Sequence, residues 1–247
     1  GVRTFAVRGG ATGPRQEVAV ASLLADARVP ATRAVAGPAV IDGWTVTAWR
    51  EIPGITPDAP PVAAGVIGDL AARLHRATGG LDPRGLPVCD PIGAALAQLE
   101  VAVPIGRTSE SELAVLKRAA TRLETLWASA RDEARARLAD GGPADLAVID
   151  AGAVLHGDLH PANVVDGDDG PVLVDLELAG WGPLAYDAAP TVAGDRWYDR
   201  TDPAAPAFDA AYCAPLTEAA AARGLDEVWT LWSTCWSLVN LNRGDAA

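Results

Sequence analysis

The stretch from His156 to Asp175 constrains this chain more than any other. Ala153 to Leu155 is a short apolar run, and His156 to Asn163 is a polar loop. Two further apolar runs, Val164-Val165 and Pro171 to Val174, flank Asp166-Gly167-Asp168-Asp169-Gly170. That segment is strong turn chemistry, so a hairpin is expected. Closing it brings Asn163 and Asp175 together at the open end, with Asp158 one loop away. Two carboxylates and a carboxamide then converge with no lysine beside them. Such a set suits Mg²⁺, which takes a few protein oxygens and leaves its other positions to water and phosphate. Two other metal readings fail. His156, Asp158 and His160 have no further His or Cys at ligand spacing. Asp166 to Glu177 mimics a calcium loop but carries Pro171 where that loop requires glycine.

One reaction type uses these groups as a set. In phosphoryl transfer an Asp receives the proton of the attacking hydroxyl, while an Asn and a second Asp hold the metal on the phosphates. His156-Gly157-Asp158, then Asn163, a hairpin and Asp175 resembles the aminoglycoside phosphotransferase family, whose members share the two-lobed fold of protein kinases. The resemblance extends over Gly180 to Asp187, where the family carries a segment with Gly, Pro and Asp. It implies Asp158 as catalytic base, Asn163 and Asp175 as Mg²⁺ ligands, ATP or GTP as co-substrate and a small-molecule hydroxyl as acceptor. The competing reading is a nucleotide-binding protein of the same fold without transferase activity.

Length and charge bound the rest. A chain of 247 residues buries a large core as one domain or two lobes. No continuous apolar run is long enough for a membrane span, and no signal-peptide pattern opens the sequence, so a cytoplasmic protein without a membrane partner is expected. Cys89, Cys213 and Cys235 are odd in number and scattered, which fits free thiols. A net charge of -12 argues against a nucleic-acid partner. It is compatible with a cationic acceptor and equally with a solubilising surface. The sequence opens at Gly1 and contains no methionine. An absent N-terminal segment is expected, since the glycine-rich hairpin of a kinase-like lobe does not precede the first strand.

In chain order, Val2 to Arg8 alternates like a strand, and Arg15 to Ala27 carries Val18, Ala21, Leu24 and Ala25 on one helical face. In the family a basic residue on such a strand contacts phosphate and pairs with a Glu on the next helix. Arg8 and Glu17 occupy those places, as a nucleotide-binding pair or as ordinary surface residues. Arginine where the family has lysine is a departure, because a planar fork and a point charge differ as donors. Lys117, the only lysine, lies elsewhere. Trp44 to Trp49 is a second strand signal, paired with Val35 to Ile41. It ends at Arg50-Glu51-Ile52-Pro53-Gly54, a linker by its Pro and Gly. By resemblance this linker is the hinge whose Arg50 and Ile52 backbone groups meet the adenine edge.

Helices are expected over Val62 to Ala77 and Pro91 to Val101. Ser109 and Glu112 form a capping box that opens a long helix through Leu138. His75 reads as a packing residue. Ala188 to Ala207, with Asp195, Trp197, Tyr198, Asp199 and Asp202, reads as an irregular loop, either ordinary or receiving a cationic or sugar acceptor. Phe208 to Arg223 and Asp226 to Leu241 are the expected closing helices. Trp229, Trp232 and Trp236 fall at core spacing on the second. The fold class is therefore α+β: a small N-terminal sheet lobe over 1–52, truncated at its start, and a larger, mainly helical C-terminal lobe over 53–247.

Overall fold

The structure, a computed structural model, describes residues 1–8, 12–54, 60–139, 151–197 and 203–240. Strands β1 (Val2–Arg8), β2 (Ala34–Ile41) and β3 (Trp44–Arg50) form an antiparallel sheet in the order β1-β3-β2. The β2–β3 hairpin turns through Asp42 and Gly43, both at positive φ (50° and 79°), the conformation that a tight two-residue turn demands. Helix α1 (Thr12–Asp26) packs on this sheet, burying Val20, Ala21 and Leu24. Its start lies before the expected Arg15, because Pro14 fits a first helical turn, where no amide is needed for the ladder. Thr45, Thr47 and Trp49 alternate inward on β3 and are buried.

Beyond Pro53 the chain is mainly helical. Helix α2 (Ala64–Thr78) ends at Gly79, and α3 (Pro91–Ala102) starts on an Asp90 cap. Helix α4 (Glu110–Ala139) opens with the expected capping box: the Ser109 amide donates to Glu112 at 2.8 Å, and the Glu112 amide to the Ser109 hydroxyl at 3.3 Å. The Gly141-Gly142-Pro143 stop lies outside the described residues. Strand β4 (Gly152–Leu155) pairs antiparallel with β7 (Gly180–Pro183), and β5 (Val164–Gly167) with β6 (Gly170–Leu173). Helices α5 (Ala189–Trp197), α6 (Ala205–Tyr212), α7 (Leu216–Ala222) and α8 (Leu225–Asn240) close the chain. The core joins α1 and β3 to α2, α4, β4, α6 and α8 in one cluster.

Two expectations are corrected. Residues 189–197 form a helix where a loop was expected: Pro190 sits in its first turn, and Ala189, Ala193 and Gly194 are buried. The single helix expected over Phe208 to Arg223 is two, broken at Cys213, whose φ is 67°, and at Pro215, which has no amide to continue the ladder. Helix α2 crosses α6 at Gly68, where a side chain would collide with the Phe208 carbonyl.

Candidate active site

Asp158 sits on the loop that leaves β4, and a buried aspartate shapes that loop. Asp187 accepts hydrogen bonds from the His156 amide at 2.9 Å and the Gly157 amide at 2.8 Å. His75 Nε2 lies 3.0 Å from the same carboxylate, and His75 Nδ1 lies 2.9 Å from the Tyr212 hydroxyl. A neutral His75 protonated on Nε2 satisfies both contacts: it donates to Asp187 and accepts from Tyr212. Gly157 has φ of 85° and faces the Leu178 carbonyl, which leaves no room for a side chain. His156 Nδ1 accepts the Asp158 amide at 3.3 Å, so its Nε2 carries the proton toward the Val174 carbonyl at 2.8 Å. His156 thus ties the loop to the strand that delivers Asp175.

The hairpin performs the convergence expected of it. Asn163 donates from Nδ2 to the Asp158 carbonyl at 2.9 Å and to Asp158 Oδ2 at 3.3 Å. The Val174 amide donates to the Asn163 carbonyl at 3.0 Å, which sets Asp175 beside Asn163. Asp175 holds a positive φ of 59°, a conformation that Asp tolerates better than most residues. His160 Nε2 lies 3.5 Å from Asp158 Oδ2, and the Trp229 indole donates to Asp158 Oδ1 at 2.6 Å.

A cavity of about 470 Å³ opens beside this loop, lined by Glu17, Trp49, Arg50, Ile52, Asp175 and Glu177 among others. Four of the site residues inferred from the sequence, Glu17, Arg50, Ile52 and Asp175, therefore line one cavity. The Arg50 amide already donates to the Arg33 carbonyl at 2.8 Å, so its N–H is not left for the adenine contact expected there. The hairpin tip is bonded to the linker expected to be the hinge, with the Asp168 amide donating to the Pro53 carbonyl at 3.1 Å. The side chain of Arg8 lies outside the described residues.

The electrostatics are those of crowded carboxylates. Burial, and then the Asp175 charge, push Glu17 up to about 7 against the pull of the Leu176 amide. Burial, with Asp175, Asp158 and Glu17, pushes Glu177 up to about 7. Asp175 is also raised, by burial first and then by Asp158, with His156 opposing. For Asp158 burial again acts upward, but hydrogen bonds from His160 and Trp229 outweigh it and hold the group below the usual carboxylate range. Asp158 is thus an ionised acceptor, and its neighbours resist being ionised together. A dication resolves that conflict, and the donor set fits one. Asp175 offers a carboxylate, and Asn163 spends its side-chain N–H on Asp158, which leaves its side-chain oxygen Oδ1 as a hard ligand. No group of three or more His, Cys, Asp or Glu placed to hold a metal occurs among the described residues.

Sequence reasoning did not single out Glu177 as a site residue, although its place two residues after Asp175 was available as a signal. It read Trp229 as core and His160 as a structural loop histidine. Asp195 lies in the expected acceptor loop, but both its oxygens accept amides, of Ala204 and Ala205, each at 2.9 Å. Residues 198–202 lie outside the described residues.

Fold and loop together define a class, the small-molecule phosphotransferases of protein-kinase-like fold. Residues 4–225 match the phosphotransferase enzyme family, and the chain belongs to it. Solved structures of the same fold include the aminoglycoside phosphotransferase APH(3'')-Id from Streptomyces rimosus in complex with ADP and streptomycin. That protein is 18% identical, with a TM-score of 0.63 over 95% of this chain and 86% of the other. The choline kinase LicA from Streptococcus pneumoniae is 17% identical, with a TM-score of 0.54 over 95% of this chain and 78% of the other. The amicoumacin kinase hAmiN, in complex with AMP-PNP, Ca²⁺ and Ami, is 12% identical, with a TM-score of 0.61 over 96% of this chain and 73% of the other. No curated protein matches the sequence. No helix among the described residues is long and apolar enough to cross a membrane.

Proposed function

We propose that the protein transfers the γ-phosphoryl group of ATP or GTP, with Mg²⁺, to a hydroxyl of a small molecule. The observation that carries this reading is Asp158, bonded to Asn163 and set one hairpin from Asp175, beside a cavity that reaches Arg50 and Ile52. Asp158 orients the acceptor hydroxyl and takes its proton. The hydroxyl oxygen bonds to the γ-phosphorus, the bond from that phosphorus to the β-bridging oxygen breaks, and the nucleoside diphosphate leaves. Mg²⁺ held by Asn163 and Asp175 would supply charge neutralisation on the phosphates. The Arg50 carbonyl and the Ile52 amide would hold the base edge, with the lobes dividing after Ile52. Glu17 flanks the phosphate end. Arg8 would act on the phosphates, the place that the family's basic strand residue takes.

For the acceptor, the net charge of -12 supports a cationic compound such as an aminoglycoside or an amino alcohol. Asp195 gives that no support, because its oxygens cap α6. The need for nucleoside triphosphate, together with three unpaired thiols, supports a cytoplasmic location. The test is phosphate transfer from ATP and from GTP to hydroxyl compounds of opposite charge, at low and high salt. Transfer to any of them that requires both Mg²⁺ and Asp158 supports the reading. Tight Mg²⁺-nucleotide binding without turnover on any acceptor would refute it.

A further inference from the structure

We propose that Trp229 is a positioning residue for phosphoryl transfer, its indole N–H fixing the plane in which the Asp158 carboxylate meets the acceptor hydroxyl. The proposal rests on the reading of Asp158 as the base. The terminal torsion of an Asp side chain is broad, so external donors decide where its lone pairs point. Three groups meet this one from two sides: the Trp229 indole on Oδ1, and Asn163 and His160 on Oδ2. Trp229 Nε1 lies 2.6 Å from Oδ1, and Asn163 Nδ2 lies 3.3 Å from Oδ2. The indole contact is the shorter by far, and an N–H on a carboxylate is a charge-assisted bond. Asn163 is also committed to the Asp158 carbonyl, so Trp229 contributes most to the carboxylate's orientation.

The indole itself is held firmly. Trp229 is half-buried on the second turn of α8, between Leu225, Val228, Leu231 and Trp232 of the core. The residues just before it are pinned to two different helices: Asp226 pairs with Arg196 of α5, and Glu227 with Arg122 of α4. The His160 ring meets the indole edge-on, with centroids 6.4 Å apart and planes at 66°. A helix anchored on two sides thus delivers one donor to one oxygen of the base.

An N–H on a base lowers its basicity, which at first opposes catalysis. In a loose phosphoryl-transfer transition state the hydroxyl has given up little of its proton, so orientation of the attacking oxygen counts for more than basicity. Loss of the indole donor should then slow turnover and leave nucleotide binding alone, because Trp229 does not line the nucleotide cavity.

The experiment is Trp229→Phe, which keeps a large apolar ring and removes the N–H. Mg²⁺-ATP-dependent phosphate transfer is measured to whichever hydroxyl compound the wild type accepts, or to water as ATP hydrolysis. The expected result is a fall in kcat of roughly ten- to a hundredfold, the worth of one hydrogen bond to a charged group. KM for ATP should be unchanged, while Tm falls by a few degrees because the Asp158 carboxylate loses a donor. In an Asp158→Ala background the same substitution should cost nothing further, whereas a packing role would carry its loss into both backgrounds. A readout independent of activity is the Trp229 indole ¹H resonance, which should move upfield in Asp158→Ala. A wild type with turnover and a Trp229→Phe variant equal to it would overturn the proposal alone, as would an unmoved resonance. A wild type inert toward every acceptor and toward water would overturn the phosphotransferase reading first, and this one with it.

Discussion

Glu17→Gln should stabilise the protein at about pH 8 and leave it nearly unchanged at about pH 5. Burial and the Asp175 charge raise the folded-state value of Glu17 from 4.5 to about 7. Between those values the folded carboxyl keeps a proton that the unfolded one has lost. Its contribution to stability is therefore complete below about pH 4.5 and drains away as pH rises through about 7. At about 1.4 kcal/mol for each tenfold change in proton affinity, the ionised group costs the folded state about 3 kcal/mol. Solvent reaches part of the side chain, and screening brings the figure to about 2 kcal/mol. Glutamine is nearly isosteric, carries no charge, and keeps an oxygen for the Leu176 amide. The variant should then melt roughly 4 to 8 °C above wild type at about pH 8 for a chain of this length. Thermal unfolding of both proteins across pH, without nucleotide or Mg²⁺, measures the difference. An equal gain at both pH values, or a loss at about pH 8, would refute the argument, because either would mean that the Glu17 charge is not what the cavity resists.

Asp158→Asn should leave nucleotide affinity by calorimetry intact and cut turnover roughly 10²- to 10⁴-fold, since it removes the proton acceptor and little else. Asp175→Ala should weaken Mg²⁺-dependent ATP binding about tenfold or more, and binding in EDTA should change much less. His75→Phe leaves the Asp187 carboxylate and the Tyr212 hydroxyl each short of a partner. Urea unfolding should show a loss of about 1 to 3 kcal/mol. Gly68→Ala would gain about 1 kcal/mol on an open helix. Here the new carbon meets the Phe208 carbonyl of α6, so the same measurement should show a net loss of about 1 to 3 kcal/mol.

What the sequence determined by itself was local. The turn chemistry of Asp166 to Gly170 dictates a hairpin, and a hairpin places Asn163 beside Asp175 whatever surrounds it. The Ser109–Glu112 capping box and the alternation along β3 are of the same kind, because their partners lie within a few residues. Where a proline was compatible with two outcomes, local reading failed. Pro190 reads as loop and is the first turn of a buried helix, while Pro215 divides a pattern that looked continuous. The rest was decided only when distant segments met. Glu17 comes from α1 and Glu177 from the far side of the hairpin, and neither sequence neighbourhood shows that they line one cavity with Asp175. Asp187 reads as the end of a motif, but its work is to hold the His156 and Gly157 amides, with His75 and Tyr212 behind it. Trp229 has the spacing of a core residue, and core spacing says only that a face is covered. Whether its N–H meets solvent, another helix or the Asp158 carboxylate depends on how α8 packs over the loop, and that is a property of the whole core, not of α8.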